Sequence, residues 1–241
     1  MRKIMIITSI TIVLFISLGY LLNELSKSRT FQFFGGLVTS VEVNEKLVAL
    51  TFDDGPGANT DKIVDILSKH DVKGTFYLTG HEIENFFDDG VKIVQAGHEI
   101  GNHSYSHKRM VFKSPSFIKD EIERTDELIR QIGYKGEITF RPPYGKRLLF
   151  LPYYLSKNER NTIYMNIEPE SYPEIASDSN KIVKHVVDNI EPGSIILLHV
   201  MYESRIESLN AVEGIVTSLI EQGYTFVTVS ELIEYGRENG K

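Results

Sequence analysis

From Leu47 onward the sequence alternates short apolar runs with amphipathic helical patterns, and this alternation restricts the possible folds more than any other feature. The apolar runs fall near residues 47–52, 74–79, 98–102, 138–141, 162–167, 194–199 and 225–229. The helical patterns fall near 60–70, 81–96, 115–132, 179–190, 207–222 and 230–238. Strands separated by helix-length segments pair in parallel and are covered by the intervening helices, so an α/β fold with a parallel sheet is expected. Seven such units suit a closed or nearly closed (β/α) barrel, although a doubly wound open sheet also satisfies the alternation. Ser114-Pro115 marks a helix start ahead of the stripe Ile118, Ile122, Leu128 and Ile132, and Gly133 and Gly223 mark two helix ends. No internal repeat or low-complexity tract interrupts the pattern.

The segment before this domain has a different character. Residues 1–3 read as a short cytoplasmic N-terminus, and residues 4–22 are uncharged and mostly apolar. Their length is close to the roughly 20 residues a helix needs to cross a bilayer. Asn23-Glu24-Leu25 is a poor cleavage site, which favours an uncleaved signal anchor over a removed signal peptide. A buried core helix is the remaining alternative. Arg2 and Lys3 favour an inside start, though Lys27 and Arg29 on the far flank weaken that asymmetry. The expected location is a single-pass cell-membrane protein with its domain outside the cytoplasm, or a secreted one if the anchor is cleaved. Residues 23–45 read as a tether and the start of the domain, with Phe31, Phe33, Phe34 and Leu37 packing on it; residues 46–241 form the domain itself.

Charge and cysteine content narrow the chemistry. With 33 acidic against 26 basic residues the chain carries −7 and has no basic block, which argues against a nucleic-acid partner. It has no cysteine, so disulfides, thiolate nucleophiles and Cys-ligated zinc are excluded, and any metal must sit on His and carboxylate ligands. A monomer is expected.

The polar clusters with chemical potential all follow apolar runs. Leu47-Val48-Ala49-Leu50 leads into Thr51-Phe52-Asp53-Asp54-Gly55-Pro56, which places two adjacent carboxylates at a strand end. Neighbouring side chains on an extended segment point to opposite sides, so Asp53 and Asp54 can divide labour between proton transfer and metal ligation. His103 and His107 follow the third run, Arg141-Pro142-Pro143-Tyr144-Gly145 the fourth, and His199 ends Ile195-Ile196-Leu197-Leu198. In parallel barrels the C-terminal strand ends build the active site, so these separated clusters can converge. Two His four apart lie on one side of a helical turn and can share a divalent ion, and a solvated helix face has the same spacing. Arg141 ahead of two prolines sits on a rigid loop where it can hold a carboxylate or form a plain surface ion pair. His199, taken alone, also fits a satisfied core histidine.

Together these residues resemble the polysaccharide deacetylases of carbohydrate esterase family 4, which share the NodB homology domain. Thr51–Pro56 is similar to the first motif of that family, His103-Ser104-x-x-His107 to the second, Arg141–Gly145 to the third and Leu197-Leu198-His199 to the fifth, over roughly residues 45–235. The resemblance implies a deformed (β/α)7 barrel that removes N-acetyl groups from hexosamine polymers. It further implies that Asp54, His103 and His107 bind a divalent metal, with zinc the first choice and cobalt or another divalent ion the alternative. Asp53 would be the general base held by Arg141, the Tyr144 backbone N–H would stabilise the oxyanion, and His199 would protonate the leaving amine. Leu197 would line the pocket for the acetyl methyl or serve simply as core.

One motif departs from the family pattern. Where an Asp-Trp pair is usual, this chain has Ile167-Glu168-Pro169-Glu170-Ser171-Tyr172, and it contains no Trp. If Ser171 and Tyr172 take those places, His199 lacks its carboxylate and becomes a weaker acid, unless Glu168 or Glu170 substitutes. Val200-Met201 after His199 is a second, milder deviation. The expected activity is deacetylation of cell-wall glycan, foremost the N-acetylglucosamine of peptidoglycan. The alternatives are chitin oligomers, O-acetylated xylan, or a glycan-binding or regulatory module with little turnover.

Overall fold

The computed structural model describes residues 2–239; Met1 of the expected cytoplasmic segment and Gly240 and Lys241 of the expected domain lie outside the described residues. The elements in chain order are α1 (Arg2–Ser26), β1 (Leu37–Val38), β2 (Leu47–Asp53), α2 (Thr60–Lys69), β3 (Thr75–Leu78), α3 (Gly80–Asn85), α4 (Phe87–Gln95) and β4 (Glu99–Asn102). They continue with α5 (Pro115–Gln131), α6 (Phe150–Lys157), β5 (Thr162–Ile163), α7 (Pro173–Ala176), α8 (Ser179–Asn189), β6 (Ile195–Leu198), α9 (Ile206–Glu221), β7 (Thr225–Phe226) and α10 (Val229–Asn239).

β2 is the centre of the sheet because it is apolar on both faces, with every residue from Val48 to Asp53 buried. It pairs in parallel with β3 and β6, β4 lies beyond β3, and β7 pairs with the first two residues of β2. A second parallel pair joins β1 to β5. Isolated parallel bridges run from Asn102 to Phe140, from Phe140 to Thr162 and from Ile167 to Ile196.

Alternation along the strands separates two environments. Val48, Leu50 and Phe52 face outward with Phe76, Ile196 and Leu198 into the core shared with the helices. Ala49 faces inward with Tyr77, Ile195 and Leu197. Asp53, four residues beyond Ala49, therefore falls on the inward face at the C-terminal end of its strand. Burying each large outward side chain contributes about 1.5–3 kcal/mol, so a register slip that exchanged the faces would be strongly disfavoured.

The structure departs from the sequence reading at several elements. The 138–141 run contributes only two isolated bridges, both at Phe140, since Pro142 and Pro143 cannot donate to a longer ladder. The 162–167 run pairs at Thr162–Ile163 and again at Ile167. The 81–96 helix is two helices, α3 and α4, because Phe86 (φ −130°, ψ 49°) leaves the helical region between them. α6 occupies a stretch in which no element was expected.

The expected tether is built into the domain. α1 continues to Ser26, and Leu37–Val38 joins β5. Arg147 is 1% exposed. Its backbone N–H donates to Ser26 O at 2.9 Å, and its guanidinium donates to Ser28 O at 2.7 Å, Phe31 O at 3.1 Å and Gln32 Oε1 at 3.1 Å. α1 itself is long and apolar enough to cross a membrane, and none of its apolar stretch is buried.

Candidate active site

A cavity of about 410 Å³ opens at the C-terminal ends of the strands. Asp53, Asp54, His103, His107, Tyr144, Leu197 and His199 all line it. Arg141 lies directly beneath, bonded to Asp53, so every site residue expected from the sequence is gathered at one place.

Asp53 ends β2 and is 3% exposed. Arg141 Nη1 donates to its Oδ1 at 2.6 Å and to Thr51 Oγ1 at 2.8 Å, while Nη2 donates to Tyr164 O at 3.0 Å. The Arg141 guanidinium carbon lies 4.1 Å from the Tyr77 ring centroid, which closes its other side. Burial alone would raise the Asp53 pKa, but the charges of Arg141, His103 and His199 outweigh it and hold the carboxyl below its usual range. Asp53 is thus an ionised, oriented carboxylate. Asp54 has a left-handed backbone (φ 66°), which Asp tolerates, and the strand ends there. The chain turns at this residue, so both carboxylates line the same cavity instead of pointing apart.

His103 and His107 do meet, with ring centroids 5.0 Å apart, but not on a helical turn. Ser104 (φ 65°) and His107 (φ 52°) are left-handed, and the segment is an irregular loop. Side-chain bonds fix it: Asn102 Oδ1 accepts from the Ser104 N–H at 2.8 Å, Ser104 Oγ from the His107 N–H at 3.1 Å, and Glu121 from the Ser106 N–H and hydroxyl. Residues of this kind compete for backbone groups and so stabilise non-helical turns.

The donor set of Asp54, His103 and His107 fits a divalent cation. His107 Nε2 lies 3.4 Å and His103 Nε2 3.9 Å from Asp54 Oδ1, and one ligand atom from each residue falls within 4.8 Å of the others. His103 Nδ1 is 2.7 Å from Arg141 O. A carbonyl only accepts, so that nitrogen carries the proton and Nε2 keeps its lone pair free for a metal. Burial, reinforced by the neighbouring His103, lowers the pKa of His107, which favours the neutral, ligating imidazole.

On the strand paired with β2, His199 follows β6 two residues after Leu197, on the same inward face. The carboxylate that Ser171 and Tyr172 lack comes from Glu170. Its side chain is 4% exposed and pairs with His199 Nδ1. The His199 backbone N–H donates to both Glu170 oxygens at 3.1 Å, and the Ser208 hydroxyl donates to Oε1. Burial disfavours the imidazolium, yet Glu170, with help from Asp53 and Asp54, pushes the His199 pKa up to about 9. Of the two carboxylates expected as substitutes, Glu170 is the one that meets His199. Glu168 serves elsewhere, accepting from Arg29 at 2.5 Å and from Ser171 Oγ at 2.7 Å.

Tyr144 sits left-handed (φ 58°) in a single turn from Pro143 to Gly145, half exposed, its ring 4.7 Å from that of His107. Sequence reasoning missed Ser208, which lies on α9 far from any strand end, and Arg29 and Arg205, which also line the cavity. A lone serine inside an amphipathic helix and two surface arginines carry no sequence signal of their own.

The chain belongs to the polysaccharide deacetylase family, whose model matches residues 40–159. It is 36% identical over 199 residues to a bifunctional xylanase/deacetylase of Pseudobutyrivibrio xylanivorans, covering 79% of this chain and 31% of that one. It is 32% identical over 197 residues to a peptidoglycan-N-acetylglucosamine deacetylase of Bacillus cereus, covering 81% of this chain and 71% of that one. The chain thus spans about a third of the first relative and most of the second. Among solved structures, the Bc1960 peptidoglycan N-acetylglucosamine deacetylase superposes with a TM-score of 0.77 at 31% identity, over 82% of this chain and 92% of the other.

Proposed function

We propose that the chain is a metal-dependent deacetylase that removes N-acetyl groups from cell-wall glycan, with the N-acetylglucosamine of peptidoglycan as its first substrate. The observation that carries this reading is the meeting, at one cavity, of a buried Asp53–Arg141 pair, a three-residue ligand set and a part-buried His199–Glu170 pair. Relatives that act on peptidoglycan support the choice of substrate.

Asp54, His103 and His107 would hold the ion, zinc first and cobalt as the alternative. Such an ion supplies a water of lowered pKa and polarises the acetamide carbonyl. Asp53, kept ionised by Arg141, accepts the proton of the attacking water. The Tyr144 backbone N–H donates to the carbonyl oxygen as it gains charge. His199, held protonated by Glu170, gives its proton to the departing amine, and Leu197 packs against the acetyl methyl. The base and the acid are separate residues at the ends of two adjacent strands, so each proton has its own carrier. Glu170 supplies the carboxylate that the altered motif otherwise lacks, which favours the enzyme over a binding module with little turnover.

The same proposal covers the architecture. The three isolated parallel bridges support a closed, deformed (β/α)7 barrel. Residues 4–22 act as an uncleaved membrane anchor, residues 23–45 dock along the domain, and residues 46–241 form the catalytic unit outside the cytoplasm.

Acetate release by the full chain in detergent tests the reading, with peptidoglycan, chitin oligomers and acetylated xylan as substrates and Zn2+ or Co2+ set against EDTA. Metal-dependent release, largest from peptidoglycan, is expected. Asp53→Asn should lower turnover about 10²–10⁴-fold while metal stays bound, whereas His103→Ala should lose both. No acetate from any glycan by metal-loaded protein sinks the proposal.

A further inference from the structure

A second groove, away from the catalytic cavity, is lined by Phe34, Ile118, Leu149, Phe150, Tyr153 and Tyr154, with no charged side chain in its lining among the described residues. Phe34, Leu149, Phe150 and Tyr153 are 42%, 43%, 49% and 50% exposed. Phe34 and Tyr153 touch edge to face, 5.5 Å between centroids, so the segment after α1 and helix α6 present one continuous apolar surface. Phe31 and Phe33, also exposed, lie on the same segment. A surface of this kind marks contact with an apolar partner.

The course of the chain indicates which partner. α1 is apolar along its length and unburied, and its last residue, Ser26, is 2% exposed because it is fastened to Arg147. Buried Arg147 also holds Ser28, Phe31 and Gln32. Leu149 follows Arg147 by two residues, roughly 7 Å of extended chain. Wherever α1 leaves the lipid, the face bearing Leu149 and Phe150 arrives with it. Phe, Leu and Tyr side chains leave water favourably at the interfacial zone of a bilayer, and no basic patch is needed to bring them there.

We propose that this surface is a second membrane contact, in which Phe34, Leu149, Phe150 and Tyr153 enter the interfacial layer of the bilayer that α1 crosses. The domain then lies against the membrane instead of swinging on a tether. The cavity rim that carries Arg29, three residues beyond Ser26, is held close to the lipid and so to the membrane-proximal glycan. The inference rests on α1 being a membrane helix and not on the deacetylase chemistry.

The absence of cysteine makes the test direct. Full chains carrying Phe150→Cys, Tyr153→Cys, Ile12→Cys within α1, or Lys69→Cys on exposed α2 are labelled with nitrobenzoxadiazole. They are reconstituted in phosphatidylcholine vesicles with or without lipid bearing a nitroxide high on the acyl chain. Labels at 150 and 153 should lose about half their emission to the nitroxide, as a shallowly inserted site does, while the label at 69 is unaffected. Adding Phe34→Ser to the Tyr153→Cys chain should reduce its quenching. Quenching at 12 but not at 150 or 153 overturns the proposal and leaves the anchor standing. No quenching at 12 removes both. Labels shielded from aqueous iodide but unquenched, in a chain that migrates as a dimer, would assign the surface to a second copy and also overturn the proposal. Acetate release from soluble chitin oligomers by the same samples reports on the deacetylase reading separately.

Discussion

At the scale of single residues, the acid half of the site depends on Glu170. Burial by itself would leave His199 a poor proton donor at neutral pH, and the adjacent carboxylate reverses that, raising its pKa to about 9. The protonated acid is therefore available below that value and is lost as pH rises through it. Glu170→Gln keeps the side chain's size but removes its charge, so the alkaline limb of the rate profile should move acidward by one unit or more. That shift corresponds to about a tenfold loss of rate at mildly alkaline pH for each unit. Ser171→Asp, in contrast, should leave the profile where it is, because His199 already has its carboxylate. A profile that moves with Ser171→Asp and not with Glu170→Gln, measured by acetate release across pH, would reverse the assignment.

At the scale of elements, the site depends on how closely β3 and β4 approach. Gly101 lies opposite Tyr77 in the parallel register, and a Cβ built on it would run into the Tyr77 ring. Tyr77 in turn supports Arg141, and His103 follows Gly101 by two residues. Gly101→Ala should thus cost about 1–3 kcal/mol, as overpacking does, and also lower turnover by displacing both Arg141 and His103. Urea unfolding with acetate release would check it; full stability with full activity would mean that the strands give way without harm. The same strands show what a sequence can reveal. Leu47–Asp53 and Ile195–Leu198 were legible because each is a buried apolar run ending in a polar residue, which puts Asp53 and His199 at one end of the sheet. The 138–141 run has the apolar character of a strand, but the prolines after it confine its pairing to two isolated bridges at Phe140. The His pair was legible as a pair but not as a loop, since nothing in a spacing of four reports left-handed backbone at Ser104 and His107. Glu170 could be named only as one of two candidates, because its choice over Glu168 depends on a contact across 29 positions of chain.

At the scale of the whole molecule, the expected ligands join distant parts of the fold. Asp54 lies at the end of β2, and His103 and His107 lie on the loop after β4, with β3 between the two strands. An ion held by all three would bind the folded chain only, since unfolding separates its ligands, and so would add stability by mass action. At a free-ion concentration a thousand times the dissociation constant the gain is about 4 kcal/mol, which for a domain of this size raises the melting temperature by about 10 °C. EDTA should abolish that increment in the unsubstituted chain. Asp54→Ala should melt at one temperature with or without EDTA, because a ligand is gone, whereas Asp53→Asn should retain the difference, because Asp53 is held by Arg141 and is not one of the three ligands. Scanning calorimetry of the three proteins separates the two aspartates without relying on turnover. If Asp53→Asn rather than Asp54→Ala loses its response to EDTA, the roles of these neighbouring carboxylates are exchanged.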